Sequence, residues 1–337
     1  MNTLRQKLLI ICLCFALMTG LGACGRSGAP RIEEGCINIV CTVFPAYDFT
    51  REIAGDRANV ILLLPPGAET HSFEPTPQDM TALIGCDLVI ANGGVGESWL
   101  DSLISGGEIT APVLHMLDCV SLLEEETVEG MQEAGHAHEH DESCEDEHGH
   151  EHHGEEAHEH AAEYDEHVWT SPVNAGKICA AIAEAVSAAD PENREYYENR
   201  LASYTEKLIA LDGAFREIVE SAVHRSMIFA DRFPVRYFVE EYGLDYYAAF
   251  PGCAEDTEPS AKTVAFLIDK VREEGIGAVY YIEFSNGKMA DVIVEDTGCK
   301  KLLFHSCQNV STDEFESGIG YLDIMEQNLV NLKEGLN

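Results

Sequence analysis

The chain has 337 residues, 60 acidic against 21 basic side chains, a formal charge of -39 and 45% apolar residues. That length suits two domains of ordinary size or one bilobal protein with a large core. A strongly negative chain, with no Lys or Arg between Arg57 and Lys177, excludes nucleic acid and anionic lipid headgroups as partners and makes cations the natural ligand class.

The first element is a leader. Arg5 and Lys7 precede an apolar run from Leu8 to Met18, followed by Thr19-Gly20-Leu21-Gly22-Ala23-Cys24. About ten apolar residues are too few to span a bilayer, so residues 1–24 are expected to be a signal peptide. Leu21-Gly22-Ala23-Cys24 has the form of a bacterial lipobox, which makes Cys24 the expected lipidation site; an ordinary cleavage site with Cys24 unmodified is the competing reading. Export follows from either, and about 310 residues remain. Residues 25–35, Gly-rich and polar, form a tether.

From Cys36 onward short apolar runs alternate with helical patterns. Ile37 to Val43, Val60 to Leu64 and Leu88 to Ala91 read as strands, with helices near Tyr47 to Ala54 and Pro77 to Gly85. A second series repeats this grammar. Met227 to Ala230, Tyr246 to Phe250, Ala278 to Phe284 and Lys301 to Phe304 are its strands, and Ser260 to Glu274 and Met289 to Thr297 its helices. Such alternation favours an α/β fold of two lobes, each a mostly parallel sheet flanked by helices. Between them, apolar residues at Tyr197, Leu201, Tyr204, Leu208, Leu211, Phe215 and Val219 keep helical spacing. A helix from Glu192 to Val223 would run about 45 Å, a stiff strut instead of a loose hinge. The expected division is 36–175 for the first lobe, 176–223 for linking helices and 224–337 for the second lobe.

One segment breaks the pattern. Residues 124–166 contain almost nothing apolar and cannot bury enough surface to fold alone. They carry His136, His138, His140, His148, His150, His152, His153, His158 and His160 among Glu and Asp. Imidazole and carboxylate suit zinc and neighbouring divalent ions. A flexible chelator loses conformational entropy on closing around an ion, so the expected role is weak, multivalent capture; a solvated charge run is the competing reading. Of the twelve cysteines, Cys12 and Cys14 lie in the leader and Cys24 at the lipobox, leaving an odd number without a Cys-x-x-Cys pair. No zinc ribbon or thioredoxin-like motif is present.

A specific site is expected at strand ends, where α/β lobes present their ligand loops. His71 lies in Pro65-Pro66-Gly67-Ala68-Glu69-Thr70-His71-Ser72-Phe73-Glu74-Pro75-Thr76-Pro77, a loop stiffened by proline. His167 lies in Asp165-Glu166-His167-Val168-Trp169, where either acid could polarise a ligating imidazole. His115 and His224 read as structural, and Trp99 and Trp169 as aromatics behind the site.

These stretches, with Thr42-Val43-Phe44-Pro45-Ala46-Tyr47-Asp48, Ile53-Ala54-Gly55-Asp56, Asn92-Gly93, Glu97-Ser98-Trp99-Leu100, Pro172, Glu258-Pro259-Ser260 and Ile282-Glu283, resemble the metal-receptor lipoproteins of zinc and manganese ABC importers, the cluster A-I solute-binding proteins. The resemblance covers essentially the whole mature chain. It implies a zinc cargo, with manganese as alternative, a permease partner, a lipid anchor on the outer face of the cytoplasmic membrane, and a monomer. It also implies metal ligands at His71 and His167, a third histidine in the second lobe and a carboxylate or histidine near the end. The chain departs at the last two. Phe229-Ala230-Asp231-Arg232-Phe233-Pro234-Val235-Arg236-Tyr237 holds no histidine. Asp231 is the nearest replacement, with an ion pair to Arg232 or Arg236 as the competing reading. Where the family commonly places Asp, Leu303-Phe304-His305-Ser306-Cys307 offers His305. Glu283 and Cys307 are weaker outsiders. His71, His167 and His305 with Asp231 or water form the N/O set expected around zinc.

Two other classes remain in view. An exported zinc hydrolase would also use three ligands and an open position, but no HExxH helix or general base beside a ligand pair is present, and the chain is not expected to be an enzyme. A surface zinc buffer or adhesin would rely on the His-rich segment alone.

Overall fold

A computed structural model describes residues 31–70, 73–131, 164–254 and 259–337 of the chain. The leader with Cys24, His71 and the nine-histidine tract lie outside these.

In the first lobe β1 (Ile37–Cys41), β2 (Ala58–Leu62), β3 (Leu88–Ala91) and β4 (Val113–His115) form one sheet in the order β2-β1-β3-β4. Every pairing is parallel. The crossovers include α1 (Phe44–Ala54), α2 (Pro77–Gly85) and α3 (Ser98–Ser105). Pro45 sits in the first turn of α1, where its missing N–H costs nothing, so the helix begins at Phe44, earlier than the apolar spacing from Tyr47 suggests. Thr76 and Asp79 close a reciprocal capping box that ends the long loop and starts α2.

The second lobe repeats the plan. β5 (Ser226–Phe233), β6 (Asp245–Pro251), β7 (Ala278–Tyr281) and β8 (Lys300–Leu303) are parallel in the order β6-β5-β7-β8. Around them lie α6 (Arg236–Tyr242), α7 (Ala261–Glu274), α8 (Lys288–Thr297), α9 (Thr312–Ser317) and α10 (Tyr321–Gly335). The two lobes are joined by α4 (Pro172–Ala189) and by α5 (Arg194–Ser221), a single helix of 28 residues. At 1.5 Å per residue α5 extends about 42 Å.

The central strands β1, β3, β5 and β7 are buried on both faces, as parallel sheets covered by helices require. On β1 and β5 alternate residues part company. Val40, Ile228 and Ala230 pack outward into small cores private to each lobe. Ile39, Cys41, Met227 and Phe229 point inward, and there one apolar cluster runs from the first sheet through α1, α4 and α5 to the second. The strut is thus packed along its length, against α1 and α4 and against α10.

In each sheet the chain leaves the first strand toward one neighbour and later returns on its other side. The crevices at this reversal, between β1 and β3 and between β5 and β7, are where open α/β sheets take ligands. Among the described residues, His305 follows β8, Glu283 follows β7, Asp231 lies near the C-terminal end of β5, and His167 lies in the 164–170 return. The cysteines among the described residues are free thiols, several of them buried.

Candidate metal centre

His167 is buried, at 1% exposure. The segment carrying it is tied to the first sheet by Asn92, just past β3, whose Nδ2 donates to the Glu166 carbonyl at 3.1 Å. Asn92 is itself fixed through its N–H, which donates to Thr42 Oγ1 past β1. The Glu166 carboxylate accepts the N–H groups of Val95 and Gly96. A Cβ on Gly94, at φ +87°, would fall 2.3 Å from that carboxylate, so the turn demands glycine.

Asp165 Oδ1 lies 3.1 Å from His167 Nδ1 and accepts the His167 N–H at 2.8 Å. The carboxylate accepts the Nδ1–H, so in the neutral ring Nε2 carries the in-plane lone pair, the arrangement of a metal-ligating histidine. Burial pulls the His167 pKa down, but the Asp165 charge and hydrogen bond, with the charges of Glu166 and Glu125, outweigh it and the net direction is upward. Tyr237 of α6 supports this corner: its hydroxyl donates to the Asp165 carbonyl at 2.8 Å and accepts the Leu123 N–H.

In the second lobe His305 follows β8 at 6% exposure. Here Nδ1 accepts the Cys307 N–H at 2.9 Å, which places the neutral ring's proton on Nε2. Nε2 is buried without a hydrogen-bond partner among the described residues. Glu283, past β7, is 3.6 Å from Nδ1 and is docked on Ser306 through both its N–H and its hydroxyl. Phe284 and Cys307, both non-glycine residues, take positive φ of 59° and 63° in these two turns. Such backbone strain collects at functional loops.

Asp231 lies where the β5 register shifts between Phe229 and Arg232, an irregularity that re-aims side chains. It is 6% exposed, and Oδ1 accepts the Arg232 N–H. Burial raises its pKa. No ion pair joins it to either arginine: Arg232 pairs with Glu69 across the lobes, and Arg236 with Glu126 and Glu240. The structural ion pair weighed for Asp231 is not formed, because both guanidiniums point to other carboxylates.

The two corners meet at a seam. Trp169, whose ring packs edge-on against His167 at 5.6 Å, donates Nε1–H to the Ser306 carbonyl at 2.8 Å. Asn309 Nδ2 donates to the Pro65 and Ala68 carbonyls, both at 2.9 Å, and Gly67 N–H to the Val310 carbonyl at 2.8 Å. The loop that leads to position 71 is therefore held by the second lobe. Two small cavities flank it. One is lined by His167, Trp169, Asn92 and Glu97, the other by Arg232, Glu283 and Phe284, and Thr70 and Gln308 line both. Glu97, buried in the first, has its pKa pushed up to about 7 by burial.

Among the described residues no three His, Cys, Asp or Glu side chains gather closely enough to hold a metal. His167 and His305 are brought to the same seam from opposite lobes, and Asp231 to the second crevice. Trp169 is buried beside His167, whereas Trp99 is only partly buried and packs on Phe73. Asn309 and Asn328 belong to no motif in the sequence. Asn328 had a signal: it interrupts the buried face Tyr321, Ile324, Met325, Leu332 of α10, and a polar residue on such a face must find a partner.

A family model described as zinc-uptake complex component A, periplasmic (ZnuA), matches residues 39–335. The high-affinity zinc uptake system protein ZnuA of Bacillus subtilis is 34% identical over 330 residues, covering 98% of this chain and 97% of that protein. The zinc-binding lipoprotein AdcA of Streptococcus pneumoniae is 31% identical over 330 residues, covering 98% of this chain and 60% of AdcA. Among solved structures, the metal-dependent lipoprotein YcdH of Bacillus subtilis superposes with a TM-score of 0.70 at 31% identity, over 89% of this chain and 99% of that one. The Zn(II)-bound ZnuA-like domain of Streptococcus pneumoniae AdcA gives 0.70 at 27% identity, over 90% and 99%.

Proposed function

The chain belongs to the zinc-uptake complex component A family, and on that premise we propose that it captures Zn2+ outside the cytoplasm and hands it to an ABC importer in the membrane. The ion is cargo, held by His71 and His167 of the first lobe and His305 of the second, with Asp231 as a further oxygen donor. Lipidation at Cys24 tethers the receptor to the outer face of the cytoplasmic membrane, where it acts as a monomer. The nine histidines of residues 136–160 supply low-affinity capture near the cleft. The role is binding and transfer, without catalysis.

The observation that carries this reading is the Asp165–His167 pair: a fully buried imidazole, oriented through Nδ1 by a carboxylate, at the crevice of a parallel sheet and against the seam with the other lobe. Nitrogen-rich ligation favours zinc over manganese, which prefers more oxygen. For His305 to bind through Nε2, its proton has to move to Nδ1, which the Cys307 N–H blocks in this structure. Loading therefore exchanges that hydrogen bond, and Glu283 is the nearby carboxylate able to receive the Nδ1–H.

The test is calorimetric titration of the full chain with Zn2+, then with Mn2+ in competition, for the parent and for His71→Ala, His167→Ala and His305→Ala together. The parent is expected to bind one Zn2+ tightly and to prefer it over Mn2+, and the triple variant to retain only weak uptake. Undiminished tight binding in the triple variant would sink the ligand assignment, and preference for Mn2+ the cargo.

A further inference from the structure

The last helix touches the main chain of both histidine segments. Tyr321, in the first turn of α10, donates its hydroxyl to the Trp169 carbonyl at 2.9 Å, two residues past His167. Asn328 brackets His305: its Oδ1 accepts the His305 N–H at 2.8 Å and its Nδ2 donates to the His305 carbonyl at 2.7 Å. Asn331 adds a bond from Nδ2 to the Leu303 carbonyl at 2.8 Å. Positions 321 and 328 are two helical turns apart and share one face, about 10 Å along the axis. The start of the helix is locked to the first lobe, where the buried Asp48 carboxylate of α1 accepts the Tyr321 N–H at 2.8 Å.

We infer that α10 is a spacer fixing the separation of the two halves of the zinc site, with Asn328 and Tyr321 as positioning residues. Asn328 acts through His305 and Tyr321 through the His167 segment. The inference rests on His167 and His305 being ligands. The chemistry suits the task. The Asn328 amide satisfies both main-chain polar groups of His305 in the manner of a neighbouring strand, at a point where β8 has ended and no strand can do so. Asn328 is 1% exposed, so its loss leaves two buried main-chain groups of His305 without their partner. A helix packed into the continuous inner core transmits displacement without bending. A shift of its first turn against Trp169 therefore reaches His305 as a rigid translation.

The test uses Asn328→Asp, which keeps the shape but replaces the donor facing the His305 carbonyl with an acceptor. Zinc affinity of the full chain is measured by chelator competition, and ligand geometry by the visible spectrum of the Co2+ form. Asn328→Asp is expected to weaken zinc about tenfold or more, the range seen when partners of a ligand are removed, and to alter the Co2+ spectrum. In a His305→Ala background the same change is expected to have no further effect on affinity, because its route to the metal is gone. A merely structural asparagine would cost the same in both backgrounds, and that result, or an unchanged affinity and spectrum, overturns the proposal. If His305→Ala alone binds like the parent, the ligand assignment fails first and the spacer role with it. Should Asn328→Asp not fold, Tyr321→Phe, which removes one hydroxyl, carries the same cycle against His167→Ala.

Discussion

Two histidines, one from each lobe, are similarly buried and differ in what their Nδ1 atoms face. At His167 a carboxylate accepts a hydrogen bond from Nδ1–H; at His305 a backbone N–H donates to the same atom. The first ring already has the Nδ1 partner a ligating histidine needs, whereas the second has to exchange a hydrogen bond first. Burial and residue type alone do not make a ligand; the partner of the other nitrogen decides which tautomer is available. Under the proposed ligand set, the first lobe offers the landing point and the second completes the coordination sphere.

The largest effect is expected from His167→Ala, a loss of zinc affinity on the order of a hundredfold or more, above the usual cost of disturbing a ligand's partner. His305→Ala should cost less by calorimetry, and equal losses would erase the distinction between the corners. Next comes Asp165→Asn, which keeps an acceptor for Nδ1 but removes its charge, with an expected loss of roughly 10–100-fold.

Proton competition separates the corners in another way. The His167 pKa is raised from its ordinary 6.5, so zinc has to displace a proton from this ring already at pH values above that. Affinity should climb with pH through this window and level off above it. Asp165→Asn removes the group that raises the pKa, and the climb should move to lower pH. A profile flat from pH 8 to pH 5 would count against histidine ligation altogether. The smallest effect is expected for Trp169→Phe, which deletes the seam bond to the Ser306 carbonyl. About 1 kcal/mol of stability, read as a lower thermal midpoint of the metal-free protein, should go with it.

The repeated strand and helix grammar was legible because parallel strands buried on both faces read as plain apolar runs, such as Leu88 to Ala91 and Ala278 to Tyr281. The strut was legible from the spacing of Tyr197, Tyr204, Leu208, Leu211 and Phe215, all buried. Its ends were less so: Pro191 starts a separate 3-10 turn and the α-helix proper begins at Arg194. His167 with its acid was visible as a local run. The state of His305 was not, because it depends on a backbone N–H two residues on and on a turn in which Cys307 takes a positive φ. Asn309 and Asn328 act across separations of hundreds and tens of residues, which no local spacing reports.

The unbroken apolar interior shared by both lobes has a consequence for how the molecule comes apart. Neither half owns a complete interior, since Met227, Phe229 and Tyr280 share their cluster with Ile39, Phe49 and Trp169. Severed between α4 and α5, each fragment would expose a wide greasy wall, so heating should reveal one calorimetric event in place of two.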